Sequence, residues 1–254
     1  MTAAEKVLAL TEHALKVCKR TTYTVETYPK DVLTIVLFHR IHLSMPWEKA
    51  LKAYQALQHE FVDWNEIRVS SLRELQEHLR GADNQLELAV FIKDFLEHVQ
   101  RERHNLCLES LVEENLTDVR RFFRSVRGIE AATVDLVLNL RKGHPVFPLT
   151  QAMETVLVKL GICQKTATRD QRQKRLFTLV EPPEAALTLH HFLVDLGREL
   201  DLEGPVDKLA IPSLPSNNLA TFFRQLVAKS KKKASSSKKS ASSAKSTAKK
   251  APVG

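Results

Sequence analysis

The chain has 254 residues, 43% hydrophobic and 6% aromatic, with a formal net charge of +8 and seven glycines. That length can bury a sizeable core in one large domain or two lobes, and so few glycines and aromatics disfavour a turn-rich sheet fold. No apolar run approaches the ~18 residues of a membrane span. The start, Met1-Thr-Ala-Ala-Glu-Lys, lacks the apolar stretch of a signal peptide. Three scattered cysteines, Cys18, Cys107 and Cys163, contain no Cys-x-x-Cys pair, so neither a disulfide framework nor a cysteine metal site is expected.

The charge is unevenly placed. No acidic residue follows Asp207, and residues 229–254 carry nine lysines, among them Lys229, Lys231, Lys232, Lys233, Lys238 and Lys239. Setting those nine aside from 38 Lys and Arg leaves 29 basic against 30 acidic residues, so the body of the chain carries −1.

In chain order, the apolar spacing predicts amphipathic helices over most of that body. Residues 3–19 place Val7, Leu10, Ala14 and Cys18 at helical intervals. Val32 to Leu37 read as a buried helix near 30–42, and Pro46 starts another running from Trp47 to Leu57. Ser71 with Glu74 three residues later has capping-box register, and Gly81 closes the helix that follows. Further helices are expected over 86–99, 106–113, 116–125, 131–140, 150–160 and 184–200, and no alternating strand pattern exceeds four or five residues. After them comes the Lys/Ser/Ala-rich tail, which has no periodicity with which to bury a core and is expected to be disordered. Its lysines suit a polyanion, bound through counterion release without reading sequence.

The stretch Asp118-Val-Arg-Arg-Phe-Phe-Arg-Ser-Val-Arg-Gly-Ile-Glu-Ala-Ala-Thr-Val-Asp reads as helix, glycine turn, helix. Such a hairpin presents backbone N–H groups at the start of its second helix, where the dipole also favours an anion. Arg120, Arg124 and Arg127, spaced i, i+4 and i+7, are expected on one face leading into the turn.

The order of segments over roughly 30–212 resembles the endonuclease III-like branch of the helix-hairpin-helix DNA glycosylases. The most specific stretches are the hairpin through Leu160-Gly161 and His190-His191-Phe-Leu-Val-Asp-Leu-Gly197-Arg198. The resemblance implies an all-α, two-lobed fold with DNA in the cleft between lobes. One lobe would be 29–145 and the other 1–28 with 146–228, followed by the tail 229–254. It implies DNA contacts, mainly to phosphates, at Arg120, Arg124, Arg127, Gly128, Ile129, Glu130 and Thr133, to which the tail lysines are added. It also matches His190 and His191 to the family's paired histidines, read here as packing and hydrogen-bonding residues.

The chain departs from the family where the chemistry lies. The lysine that attacks the sugar is matched by Ala132, and the catalytic aspartate by Thr150; a methyl group forms no Schiff base and a hydroxyl carries no charge. The family's second hairpin glycine is matched by Glu130. Glu130 and Asp135 are surrogate carboxylates only if chemistry has moved; the simpler reading makes them a helix-start charge and an exposed helix residue. Four cysteines of many relatives are missing from the stretch 199–212, where Pro205 and Pro212 remain, so no iron–sulfur cluster is expected. The function expected is non-catalytic DNA binding, with DNA and repair or nucleoid proteins as partners, no membrane, and a cytoplasmic, nucleoid-associated or nuclear location. A glycosylase or abasic-site lyase with relocated residues is one alternative, and a protein-interaction scaffold is another.

Overall fold

The computed structural model describes residues 2–18, 28–180 and 185–199, which form twelve helices and no strand. The tail lysines and the stretch beyond Glu199 lie outside the described residues. Among the described residues no helix is long and apolar enough to cross a membrane.

The helices fall around two hydrophobic cores. The first is built on α2 (Val32–Ser44) and encircled by α3 (Trp47–Glu60), α4 (Trp64–Val69), α5 (Leu72–His78), α6 (Gln85–Arg103), α7 (Glu109–Glu113), α8 (Leu116–Arg124) and α9 (Ala131–Lys142). The second joins α1 (Ala3–Cys18) to α10 (Gln151–Lys159), α11 (Arg169–Leu179) and α12 (Ala185–Glu199). The amino-terminal helix thus packs with the carboxy-terminal ones, α1 lying against α12.

Local chemistry sets most of the boundaries. The capping box at Ser71 forms in both directions, and Gly81 takes the left-handed turn that follows, at φ +96°. Asp31, Asp63, Asn84 and Asn115 cap α2, α4, α6 and α8 through side-chain acceptors. The helix expected from Leu106 begins only at Glu109, because Asn105 accepts a hydrogen bond from the Cys107 N–H at 2.9 Å and turns the chain locally. Two helices, α4 and α11, have no counterpart among the expected elements.

Helix α2 is buried on nearly every side, and the two polar residues it buries completely are histidines. His39 and His42 meet His190 and His191 of α12, so all four imidazoles are shut off from water. One hydrogen-bond chain runs through two of them, His39 and His190. His190 Nδ1 lies 2.9 Å from the Pro148 carbonyl, which only accepts, so Nδ1 holds the proton. In a neutral ring Nε2 is then an acceptor, and His39 Nε2, 3.0 Å away, donates to it. His39 Nδ1 is left to accept from the Thr133 hydroxyl at 2.9 Å. A single fixed acceptor therefore orients three groups and ties α9 and α2 of the first core to α12 and the chain before α10 of the second.

Neutrality is enforced by burial. It pushes His190 down to about 4 and His39, His42 and His191 well below the usual histidine value, with neighbouring imidazoles and cationic arginines adding to the effect at His39 and His42. Unfolding returns each ring to about 6.5, so between that pH and the folded values the unfolded chain binds more protons and folding loses ground as pH falls. Stability should be full above neutrality and decline as pH drops from about 6.5 toward about 4, by up to ~1.4 kcal/mol per pH unit for each ring. Urea midpoints measured across that range check this. His190→Gln should shallow the slope by about one proton, and a wild-type profile flat from about pH 7 to 5 would contradict the account.

Candidate nucleic-acid interface

The hairpin is α8, a turn at 125–130, and α9. Val119 and Phe123 of α8 face the core, while Arg121 is exposed and held by Asp118 at 2.6 Å. Gly128 carries the reversal at φ +86°, and a Cβ built there would lie 3.0 Å from Phe91 Cδ2. Phe91 is itself fixed, stacked against Phe95 with the Arg40 guanidinium 5.3 Å from its ring centre. The turn therefore needs glycine twice, for its dihedral and for the aromatic floor beneath it.

Glu130 is the N-cap residue of α9, in extended backbone, and its carboxylate makes no capping bond to the first-turn N–H groups. Its side chain is exposed at the mouth of a cleft, where the surrounding protein displaces enough water to raise its pKa; Arg40 and Arg169 act in the opposite sense.

That cleft, about 560 Å³, lies where the two cores meet, and its lining includes Glu130, Ala132, Thr150, Arg169 and Arg198. Ala132 and Thr150, eighteen positions apart in sequence, are thus brought to one cavity. Thr150 is the N-cap of α10, its hydroxyl accepting from the Met153 N–H at 3.1 Å. Gly197 of α12 allows close approach to α10, since a Cβ there would sit 3.1 Å from the Ala152 Cβ. Arg198 next to it donates to the His42 carbonyl and pairs with Asp195 at 3.2 Å.

The nearby carboxylates are mostly committed. Asp135 and Glu154 are buried, and both are held by Arg169, at 3.0 Å and 2.6 Å respectively. Gln173 adds a bond to Asp135 at 2.6 Å and one to the Phe147 carbonyl at 3.0 Å, and Arg172 pairs with Glu154. Breaking such a buried pair leaves an uncompensated charge, at a cost of about 3–5 kcal/mol.

Several expectations need correction. Asp135 is not an exposed helix residue, because α11 covers it with Arg169 and Gln173. Arg127 does not continue the α8 face; the helix ends at Arg124 and Arg127 stands exposed in the turn. Thr133 is buried with its hydroxyl committed to His39, so its side chain is not placed to meet DNA. Arg124 is exposed at the end of α8, Arg120 is half-buried 4.0 Å from Asp135, and Ile129 packs partly against the first core. The histidines read as packing residues are buried in that role, and the expectation missed their partners His39 and His42. It also missed Arg169, although the charge pattern marks its region. Residues 28–118 hold ten Lys and Arg against sixteen Asp and Glu, a net of −6, whereas 119–180 hold twelve against four, a net of +8.

Comparison with known proteins agrees with this architecture. The chain is similar in fold to endonuclease III in a non-covalent DNA complex, with a TM-score of 0.55, 17% identity, and coverage of 91% of this chain and 100% of that one. Endonuclease III trapped as a covalent intermediate with DNA gives 0.52 at 18% identity, covering 85% of this chain and 94% of the other. The 3-methyladenine DNA glycosylase of H. pylori bound to 1,N6-ethenoadenine gives 0.53 at 16%, covering 78% and 98%. In sequence, the chain is 26% identical over 147 residues to an Arabidopsis thaliana protein named as a DNA glycosylase, covering 58% of this chain and 50% of that protein. It is 29% identical over 100 residues to Protein ROS1A of Oryza sativa subsp. japonica and 31% identical over 102 residues to the transcriptional activator DEMETER of Arabidopsis thaliana. Each of these two matches covers 39% of this chain and 5% of the relative. No family model matches the chain. It therefore spans about half the length of the first relative and a small part of the other two.

In fold the chain is similar to endonuclease III, and over part of its length its sequence is similar to a protein named as a DNA glycosylase.

Gly128→Ala should destabilise the fold by roughly 1–3 kcal/mol, since alanine must adopt a left-handed dihedral against a fixed ring. Urea unfolding of the variant checks this; an unchanged midpoint would show that the turn relaxes without cost.

Proposed function

We propose that this chain binds duplex DNA through the hairpin and α11 and carries out neither base excision nor strand cleavage. The observation that carries this reading is the cleft, where a methyl group and a helix-capping hydroxyl stand at the positions matching the family's nucleophile and carboxylate. A lysine can attack a sugar carbon and an aspartate can stabilise a sugar cation; Ala132 and Thr150 do neither. The basic excess of residues 119–180 supports phosphate contacts, with Arg124 and Arg127 exposed on the hairpin. The lysine tail adds affinity without sequence preference. On this reading the body is 1–228, with lobes 29–145 and 1–28 plus 146–228; the two hydrophobic cores support that division except at Tyr28, which packs in the first core. The partners are DNA and, through it, repair or nucleoid proteins, and the protein resides with DNA, in a nucleoid or a nucleus.

An iron–sulfur cluster held by four thiolates does not fit this chain. The whole sequence has three cysteines; Cys163 is buried in the second core, and Cys107 is exposed in the loop before α7.

Relocated catalysis is the second reading, and Glu130 is the observation in its favour: an uncapped carboxylate of raised pKa at the mouth of the cleft. Borohydride trapping on abasic duplex separates the two for lyase chemistry, and a base-release assay does so for hydrolysis. With residues 229–254 removed, so that tail amines cannot imitate activity, no covalent complex and no released base should form. Robust trapping abolished by changing one lysine of the body, or release abolished by Glu130→Gln, would overturn the non-catalytic reading.

Removing the tail should also flatten the dependence of affinity on salt. Each phosphate neutralised contributes roughly −0.9 to the slope of log affinity against log salt. A slope that is the same with and without residues 229–254 would show that the tail makes no phosphate contacts.

A further inference from the structure

A second recess, about 360 Å³, opens beside the cleft and shares Ala131 and Arg169 with it. Its walls come from both cores: Arg120, Arg124 and Ile129 from α8 and the turn, Arg169, Asp170 and Gln173 from α11, and Asp135 from α9. Three guanidiniums face two carboxylates, but the carboxylates are not equivalent. Asp135 is buried and already receives Arg169 at 3.0 Å and Gln173 at 2.6 Å. Arg120 lies only at the edge of that pair, 4.0 Å from Asp135, with 42% of its side chain exposed. Arg124 is exposed and, among the described residues, is in no ion pair. Asp170, unlike Asp135, is exposed, so the rim presents two guanidiniums whose donors are not spent against one carboxylate, in the planar geometry that suits phosphate oxygens.

The volume carries the argument further. A phosphate needs only a fraction of 360 Å³, and the remainder is lined by the partly buried Ile129 and by the amide of Gln173. Apolar wall, fixed polar edge and cationic rim together fit a ligand with a ring and a phosphate. We propose that this recess is a nucleotide site, in which Arg120 and Arg124 hold the phosphate while the sugar and base lie against Ile129 and Gln173. The nucleotide is either a unit of a DNA strand crossing the hairpin, an arm that rests on the DNA-binding reading, or a free mononucleotide.

The test uses the full-length protein with two probes. Deoxynucleoside monophosphates are titrated calorimetrically, and a short duplex is titrated by fluorescence anisotropy at fixed salt. Arg120→Ala and Arg124→Ala are compared with Arg121→Ala, which removes the same charge from the same helix but does not line the recess. Circular dichroism confirms folding, and Arg124, being exposed, gives a variant that folds even if Arg120→Ala does not. The expected result is a loss of about tenfold for Arg124→Ala with little change for Arg121→Ala, the scale of one charge-assisted hydrogen bond. Seen with monophosphates, that split assigns the site to free nucleotide; seen with duplex only, it assigns the site to the strand. Equal behaviour of Arg121→Ala and Arg124→Ala with both probes overturns the proposal. If wild type binds no duplex at all, the DNA-binding reading falls, and the monophosphate titration still decides the recess.

Discussion

The rest of the structure depends on the hydrogen-bond chain from the Thr133 hydroxyl through His39 and His190 to the Pro148 carbonyl. Each link has one possible direction, because the last acceptor has no proton to give. The chain passes from α9 to α2 to α12 and ends two residues before the N-cap of α10. It therefore sets the spacing between Ala132, next to Thr133, and Thr150. Two cores could slide if apolar contacts alone held them, since such contacts have no direction. A buried polar chain permits one register, because any other leaves a donor or acceptor unpaired in a site without water.

Arg169 does for the outer side of the junction what the histidines do for the inner side. It joins Asp135 of α9 to Glu154 of α10, and it lines both the cleft and the recess beside it. The two carboxylates that sequence proximity would offer to chemistry are thereby fixed as structural anions. Glu130 lies outside that network, at the cleft mouth, and it does not close off the start of α9.

Much of the fold was legible because most of its helices bury an apolar stripe, and those stripes recur at helical spacing from Val7 to Leu196. Helix α11 was not legible, for a physical reason. Its inward residues include Arg169, Arg172 and Gln173, which satisfy buried carboxylates and a carbonyl, so its sequence shows little apolar period. Short α4 buries Ile67 alone and so offered no repeat to count. At the site, the glycine turn and the positions of Ala132 and Thr150 could be found by matching segments. The burial of Asp135 and Thr133 could not, because each depends on a partner from a distant helix: Asp135 on α11, and Thr133 on His39, ninety-four residues away. Arg127 was misplaced because helical spacing was carried three residues beyond the end of α8.

Thr150 draws a separate consequence from a small geometric fact. Its hydroxyl closes the first turn of α10, a task that aspartate and threonine both perform well. The fold asks only for an acceptor at that place, whereas sugar chemistry asks for a negative charge. Selection for a soluble, well-folded chain is therefore blind to the exchange of one residue for the other. Folding stability alone therefore carries no record of which of the two residues stands at this position, and a survey of folding defects would not tell a chain with a charge here from one without.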